Sequence, residues 1–145
     1  MKQQIIQAGK GPDYDWANDH VYVKTCVDLT EGRVTVVEDT LKPGFDLARH
    51  YHKMMTEIFY ILDGEVAFEF DGEPEPTITT PGMVLNIPPH VWHRVTSRKG
   101  ARLITIFTPG GFDRYLSEMA LLSAEQFADQ HLMTALAEKY DSWMR

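Results

Sequence analysis

Between Val21 and Thr108 the chain is a succession of short apolar runs, most of them alternating with polar residues and each bounded by turn formers. Alternation with a period of two predicts strands with one buried face. The predicted strands are Val21–Leu29, Arg33–Leu41, Leu47–Lys53, Glu57–Leu62, Glu65–Phe70, Pro76–Thr80, Met83–Ile87, Val91–Ser97 and Arg102–Thr108. Between them lie Glu31-Gly32, Pro43-Gly44, Asp63-Gly64, Asp71-Gly72, Pro81-Gly82, Pro88-Pro89 and Gly100. The Asp-Gly pairs supply the positive-φ positions that tight hairpins require. Short strands at this spacing, with no helical pattern between them, indicate an all-β sandwich or barrel rather than βαβ units.

The pattern changes after Thr108. Pro109-Gly110-Gly111 ends the last strand, and the remainder is rich in Ala, Leu, Met, Glu and Gln. Phe112–Leu122 reads as a helix, and Ser123-Ala124-Glu125-Gln126 as a capping box that opens a second, because Ser123 and Gln126 can satisfy each other's orphan amides. A last helical piece is expected from about Leu132 to Tyr140. No linker, repeat or low-complexity tract interrupts the chain. The expectation is therefore a single domain over 1–145, with a barrel at about 21–108 and a helical segment at about 112–140 packed on it.

Composition narrows the possibilities. The chain has 145 residues, 43% of them apolar, enough for a real core. No run approaches the roughly 18 apolar residues of a membrane span. The opening Met1-Lys2-Gln3-Gln4-Ile5-Ile6 has no apolar h-region, so no secretory signal is expected. The single cysteine, Cys26, cannot form an internal disulfide, which makes a cytoplasmic location the default. With no motif around it, Cys26 reads as a small buried hydrophobe. A formal charge of −7 and scattered basic residues argue against nucleic acid and leave a small molecule as the natural partner.

One set of residues carries chemistry. His50 and His52 are separated by one residue, which on a strand puts both imidazoles on the same face. Glu57 opens the next predicted strand and can meet them from its neighbour. His93 follows the Pro88-Pro89 turn and can close the set from a more distant strand. A lone His-x-His is weak evidence, and such pairs are more often surface or satisfied core residues. Glu57 changes the balance, because if it points inward so do Phe59 and Ile61, and a carboxylate facing a core is costly unless a cation compensates it. Imidazole with carboxylate suits one divalent transition metal (Fe, Mn, Ni, Co, Cu or Zn) and does not suit calcium.

At these residues the sequence resembles the cupin superfamily. Its first motif, G-x5-H-x-H-x4-E-x6-G, is met by Gly44, His50, His52, Glu57 and Gly64 without departure. Its second, G-x5-P-x-G-x2-H-x3-N, is met by Gly82, Pro88 and His93, but His90 replaces the third-position glycine and Ser97 the asparagine. The runs Glu57–Glu65 and Phe107–Phe112 are also similar to small single-domain cupins of the quercetin-dioxygenase-like group. The resemblance implies a double-stranded β-helix barrel, a three-histidine, one-glutamate metal site and commonly a homodimer. It further implies that Glu57 shifts and takes a proton from a substrate hydroxyl.

Three functions are compatible with that reading. The first is a metal-dependent dioxygenase acting on a phenolic or enolisable compound. The second is a cyclase, isomerase or lyase in which the metal is only a Lewis acid. The third is a non-catalytic binding or sensing module, favoured by the lack of any evident acid/base pair beyond the ligands. His90, on the loop that delivers His93, is a candidate acid/base group or ligand partner, with a solvent-facing turn residue as the alternative. Residues such as Phe45, Met54, Phe59, Met83 and Phe107 can supply an apolar pocket that favours an aromatic substrate over a sugar phosphate. Arg49 and Arg94 flank the ligands, but by alternation both should face away, as should Tyr60.

Overall fold

A computed structural model describes residues 3–144. Its strands are β1 (Asp13–Asp15), β2 (Asp19–Thr25), β3 (Thr35–Leu41), β4 (Phe45–Tyr51), β5 (Thr56–Gly64), β6 (Val66–Phe70), β7 (Thr77–Thr79), β8 (Val84–Ile87), β9 (His93–Ser97) and β10 (Ala101–Thr108). The helices α1 (Phe112–Ala120), α2 (Ala124–Ala128) and α3 (Gln130–Lys139) follow, then a short strand β11 (Trp143–Met144). Two antiparallel sheets face each other, one in the order β1-β2-β3-β10-β5-β8 and the other β11-β4-β9-β6-β7. This is the double-stranded β-helix architecture.

Alternation decides what each sheet buries. On β3, Thr35, Val37 and Leu41 are buried; on β5, Glu57, Phe59 and Ile61; on β10, Ala101, Leu103, Thr105 and Phe107. Two separate apolar clusters result. Phe59, Ile61, Phe68, Val95 and Leu103 belong to the first, with the rings of Phe59 and Phe68 edge to face at 5.0 Å. Val21, Val23, Val37, Met55, Phe107 and Leu116 form the second, against which α1 packs Phe112 and Met119. Each large side chain removed from water in this way contributes on the order of 1.5–3 kcal/mol.

Helix α1 is tied to the barrel by polar contacts as well. Thr35 Oγ1 donates to Asp113 Oδ1 at 2.6 Å and accepts from the Gly111 amide at 3.0 Å. The capping box at Ser123 is present in full, with Ser123 Oγ accepting from the Gln126 amide and Gln126 Oε1 from the Ser123 amide. Gly64 shows why its motif position admits no side chain. Its φ is +79°, and a Cβ there would stand 2.6 Å from the Gly100 carbonyl oxygen.

The predicted boundaries shift in several places. The first predicted strand, Val21–Leu29, stops at Thr25, because residues 26–32 coil into turns bonded through the Cys26 and Val27 carbonyls. Strand β1 is additional, three residues too short to show a period. Asp129, not a residue near Leu132, opens α3, its carboxylate accepting from the His131 and Leu132 amides. Finally, β4 runs Phe45–Tyr51, where Leu47–Lys53 was expected, and it is irregular in a way that matters for the site.

Candidate metal centre

Strand β4 carries a bulge. Leu47 lies opposite Val95 and His50 opposite His93, so three steps on β4 match two on β9. Phe45 and His50 are an odd number of residues apart, and strict alternation would send one of them outward. The extra residue restores the phase, so both are buried. His52 sits just past the strand end, Glu57 near the start of β5 and His93 at the start of β9.

The four side chains converge. One donor atom from each of His50, His52, Glu57 and His93 lies within 4.8 Å of all the others, and none of the residues is more than 5% exposed. Each imidazole donates its Nδ1–H to a backbone carbonyl: His50 to Ala48 at 2.8 Å, His93 to Val91 at 3.0 Å and His52 to Asp141 at 2.7 Å. Carbonyls only accept, so these bonds fix the tautomer and turn every Nε2 toward the centre. Glu57 Oε2 lies 3.1 Å from Nε2 of both His52 and His93. In a neutral imidazole of this tautomer Nε2 is a lone pair. A carboxylate facing two such nitrogens is balanced only by protons on them or by a cation held in common. The donor set, its burial and its orientation fit a divalent metal ion.

The electrostatics agree with a charge-dense pocket. Burial pushes the His50 pKa down to about 4, so this imidazole is neutral at physiological pH. Burial also acts to lower that of His52, but the Glu57 carboxylate outweighs it and the net direction is upward. Burial alone would raise Glu57; the bonds from His52 and His93 hold it well below the usual carboxylate range.

Three of the four clustered residues, His50, His52 and Glu57, line a cavity of about 370 Å³. Phe45, Phe59 and Phe107 contribute its apolar wall, as expected, whereas Met54 is 71% exposed and Met83 48% exposed. Helices α1 and α2 add Phe112, Leu116, Met119 and Phe127 to its lining. That contribution is invisible to strand patterning. Besides Glu57, three carboxyl residues, Asp19, Asp39 and Asp46, line the cavity. Asp39 stands at an inward position of β3 between Val37 and Leu41, and the inward-carboxylate argument that flagged Glu57 applies to it equally.

The structure does not bring His90 to the cluster. Its φ is +69°, the left-handed conformation for which the motif carries glycine, and its side chain is exposed, with the ring 6.2 Å from that of Tyr51. Its backbone amide does serve the site, donating to the His52 carbonyl at 2.7 Å. Ser97, in place of the motif asparagine, is buried and donates to the Glu65 carbonyl at 2.8 Å. Arg49 pairs with Asp71, and Arg94 with Asp46 of the cavity lining through two bonds of 2.9 and 2.6 Å; neither arginine lines the cavity itself. Tyr60 is 42% exposed, and Cys26 is half-buried beside the second cluster.

Comparison with known proteins agrees with this geometry. The cupin-domain family model matches residues 30–107, more than half of the chain. The chain is a cupin. Over 114 residues it is 30% identical to quercetin 2,3-dioxygenase of Bacillus subtilis (strain 168), covering 77% of this chain but only 33% of that protein, so the cupin spans about a third of its curated relative. Among solved structures it is similar to KdgF from Halomonas sp., with a TM-score of 0.66, 18% identity, and coverage of 77% of this chain and 99% of that one. An RmlC-like cupin from Shewanella frigidimarina gives 0.65 at 21% identity, covering 77% and 96%. Ectoine synthase from P. lautus gives 0.62 at 22% identity, covering 73% and 78%. At these identities the structural likeness speaks for the fold. Among the described residues of this cupin, no helix is long and apolar enough to cross a membrane.

Proposed function

We propose that this cupin holds one divalent transition metal on His50, His52, Glu57 and His93 and is a dioxygenase for a phenolic or enolisable small molecule. The observation that carries the reading is the orientation of the imidazoles. All three commit Nδ1 to backbone carbonyls and present Nε2 to one point at the edge of an apolar cavity. When bound there, a redox-active metal polarises a phenolic or enolic oxygen and supports one-electron chemistry with dioxygen.

The chain's own residues do the rest. Phe45, Phe59 and Phe107 bind the flat apolar body of the substrate, and α1 and α2 exclude water from it. Both imidazole contacts of Glu57 use Oε2, so Oε1 is the atom proposed to accept the substrate's hydroxyl proton. The 30% identity to a protein named quercetin 2,3-dioxygenase supports an aromatic polyol as substrate class.

The test is metal analysis of protein purified without chelator, followed by oxygen uptake on a phenolic panel that includes quercetin. Expected are about one transition metal per chain, oxygen consumption with at least one phenol, and loss of both on chelation. Product formation without oxygen uptake would overturn the dioxygenase reading and assign Lewis-acid chemistry. Binding without turnover would assign a binding module.

A further inference from the structure

The entrance to the cavity is built from two unequal sides. Ala17, Asn18, Leu47, Phe127 and Met144 line the cavity and are themselves exposed, which places its opening between the loop after β1, the start of β4, α2 and β11. The side formed by the loop after β1 is fixed. Lys42 Nζ donates to Asp15 Oδ1 and to the Trp16 carbonyl, both at 2.6 Å, and the Lys42 amide donates to the Asn18 carbonyl at 2.8 Å. The Trp16 amide donates to the Asp19 carbonyl at 2.8 Å, and the Trp16 ring stacks on Tyr14 at 5.9 Å beside the second apolar cluster.

Helix α2 is the other side, and little holds it. Every residue from Ser123 to His131 is exposed, and none of α2 is buried. The polar groups at its ends serve the adjoining chain: Gln126 bonds Ser123 in the capping box, and Asp129 caps α3. Among the described residues no hydrogen bond or ion pair joins α2 to the barrel, and its one ring contact there is Phe127 on Trp16, at 6.0 Å and 29°. Ser123 and Asp129 are both extended, with ψ of 162° and 105°, and each separates two helical segments. Rotation about the two together swings α2 while its neighbours stay in place. Those neighbours are secured independently. Tyr115 and Leu116 of α1 are buried, Tyr140 stacks on Tyr115 at 5.6 Å, and Glu118 accepts from Lys139 and Tyr140. A short exposed helix with few buried contacts lies at the low end of a protein's range of local stability.

We propose that α2 is a flap that opens on Ser123 and Asp129 and gates ligand exchange with the cavity, with the Phe127–Trp16 contact as its catch. This rests on the proposed function only in taking the cavity as the ligand's site. When the contact breaks, the Phe127 ring turns to water and the mouth widens against the fixed hairpin. Such a catch controls rates rather than affinity. A ligand enters and leaves through the open form, so a change that raises the open population speeds both steps by the same factor. A side chain that is only a piece of the wall behaves otherwise: its loss speeds release and leaves entry alone.

The test is stopped-flow binding of Nile red, a neutral dye that fluoresces in apolar surroundings, to the full chain as purified. The readout needs neither oxygen nor turnover, so it can uphold the gate even where the dioxygenase reading fails. Thr105 lines the cavity, and Thr105→Leu and Thr105→Phe, which fill it stepwise, should weaken dye binding in that order and so locate the dye. In Phe127→Ala both association and dissociation should be roughly five- to tenfold faster, with the Kd within about twofold of wild type. Trp16→Leu should do the same, and the double variant should be no faster than either single change, since each removes one and the same contact. Phe127→Tyr keeps the stack and should keep wild-type rates. Phe127 is 46% exposed. Its variants should therefore melt within about 3 °C of wild type. Unchanged rates in Phe127→Ala, or faster release with unchanged entry, would overturn the gate. So would a loss of melting temperature well beyond that range, which would place α2 in the cooperative fold. Failure of wild type to take up the dye, or undiminished binding in both Thr105 variants, would overturn the cavity as the ligand's site and the gate with it.

Discussion

Glu57→Gln is expected to lower the affinity for the divalent metal by more than about 100-fold while leaving the fold intact. Changes to residues that only support metal ligands commonly cost 10–100-fold, and the loss of an anionic ligand should exceed that range. The carboxylate supplies the only negative charge in a set whose other members are imidazoles, and at 4% exposure no water replaces it cheaply. Glutamine has the same shape, so Phe59 and Ile61 beside it keep their packing. Its amide can donate to one of the Nε2 lone pairs, which makes the metal-free variant at least as stable as the metal-free parent. The measurement is metal content after gel filtration together with a chelator competition, with thermal melting as the control for folding. Retention of metal at wild-type affinity would show that the four residues are not a ligand set. Retention of both metal and full turnover would remove Glu57 from proton transfer as well.

The second large effect is expected at Asp141. Its carboxylate accepts hydrogen bonds from the amides of Lys53, Met54 and Met55, each at 2.8 Å, and its carbonyl accepts the Nδ1–H of His52. One residue therefore closes the connection between the two strands that bring in His52 and Glu57. Bonds to a charged acceptor contribute roughly 1.5–3 kcal/mol each. Two of these amides are exposed and can turn to water instead, so Asp141→Ala should destabilise by about 3 kcal/mol. Asp141 also has a φ of +61°, which adds a backbone penalty for alanine. Asp141→Gly removes the acceptor without that penalty and should lose slightly less. In both variants His52 is less firmly oriented, and metal affinity should drop about tenfold.

The pH dependence has a definite sign. Burial alone would raise the Asp141 pKa, but the amides of Met55, Lys53 and Met54 bring it below the usual carboxylate range. A depressed carboxyl pKa stabilises the fold above the unfolded value, about 3.9, and the contribution is lost as pH falls through the folded value. The gap between wild type and Asp141→Ala in denaturant unfolding should be full at neutral pH and shrink below about pH 4. A gap under 1 kcal/mol at neutral pH would show that the clamp is not structural.

Residues differ in how plainly they declare these roles in sequence. The four-residue cluster is legible because His50, His52 and Glu57 are close in the chain and sit in a fixed motif, and because Phe59 and Ile61 fix the inward phase of Glu57. The inward aim of His50 is less so. Alternation from Phe45 gives the wrong answer, and only the bulge before His50 corrects it, a one-residue change of register with no mark in the pattern. The cavity-lining acids Asp19 and Asp39 were missed because they become neighbours only through the β2–β3 register, although Asp39 alone carries the mark of a carboxylate within an apolar alternation. Asp141 was out of reach, since nothing local in the sequence shows that a residue just past a helix returns to a turn between strands. Helical periodicity predicted α1, and the capping box predicted α2, but not which of their residues join the cavity wall.

The bond from His52 to Asp141 joins residues 89 positions apart, whereas His50 and His93 each take their carbonyl from two residues upstream. Two of the imidazoles can therefore acquire their tautomer and direction as their own strands form. The third must wait for a contact of high sequence separation, which chains close late because loop entropy opposes it. During refolding, the apolar clusters should condense first, around a centre with two aligned nitrogens and one free to rotate. High-affinity metal capture should then follow collapse as a distinct, slower event, timed by the docking of the segment after α3.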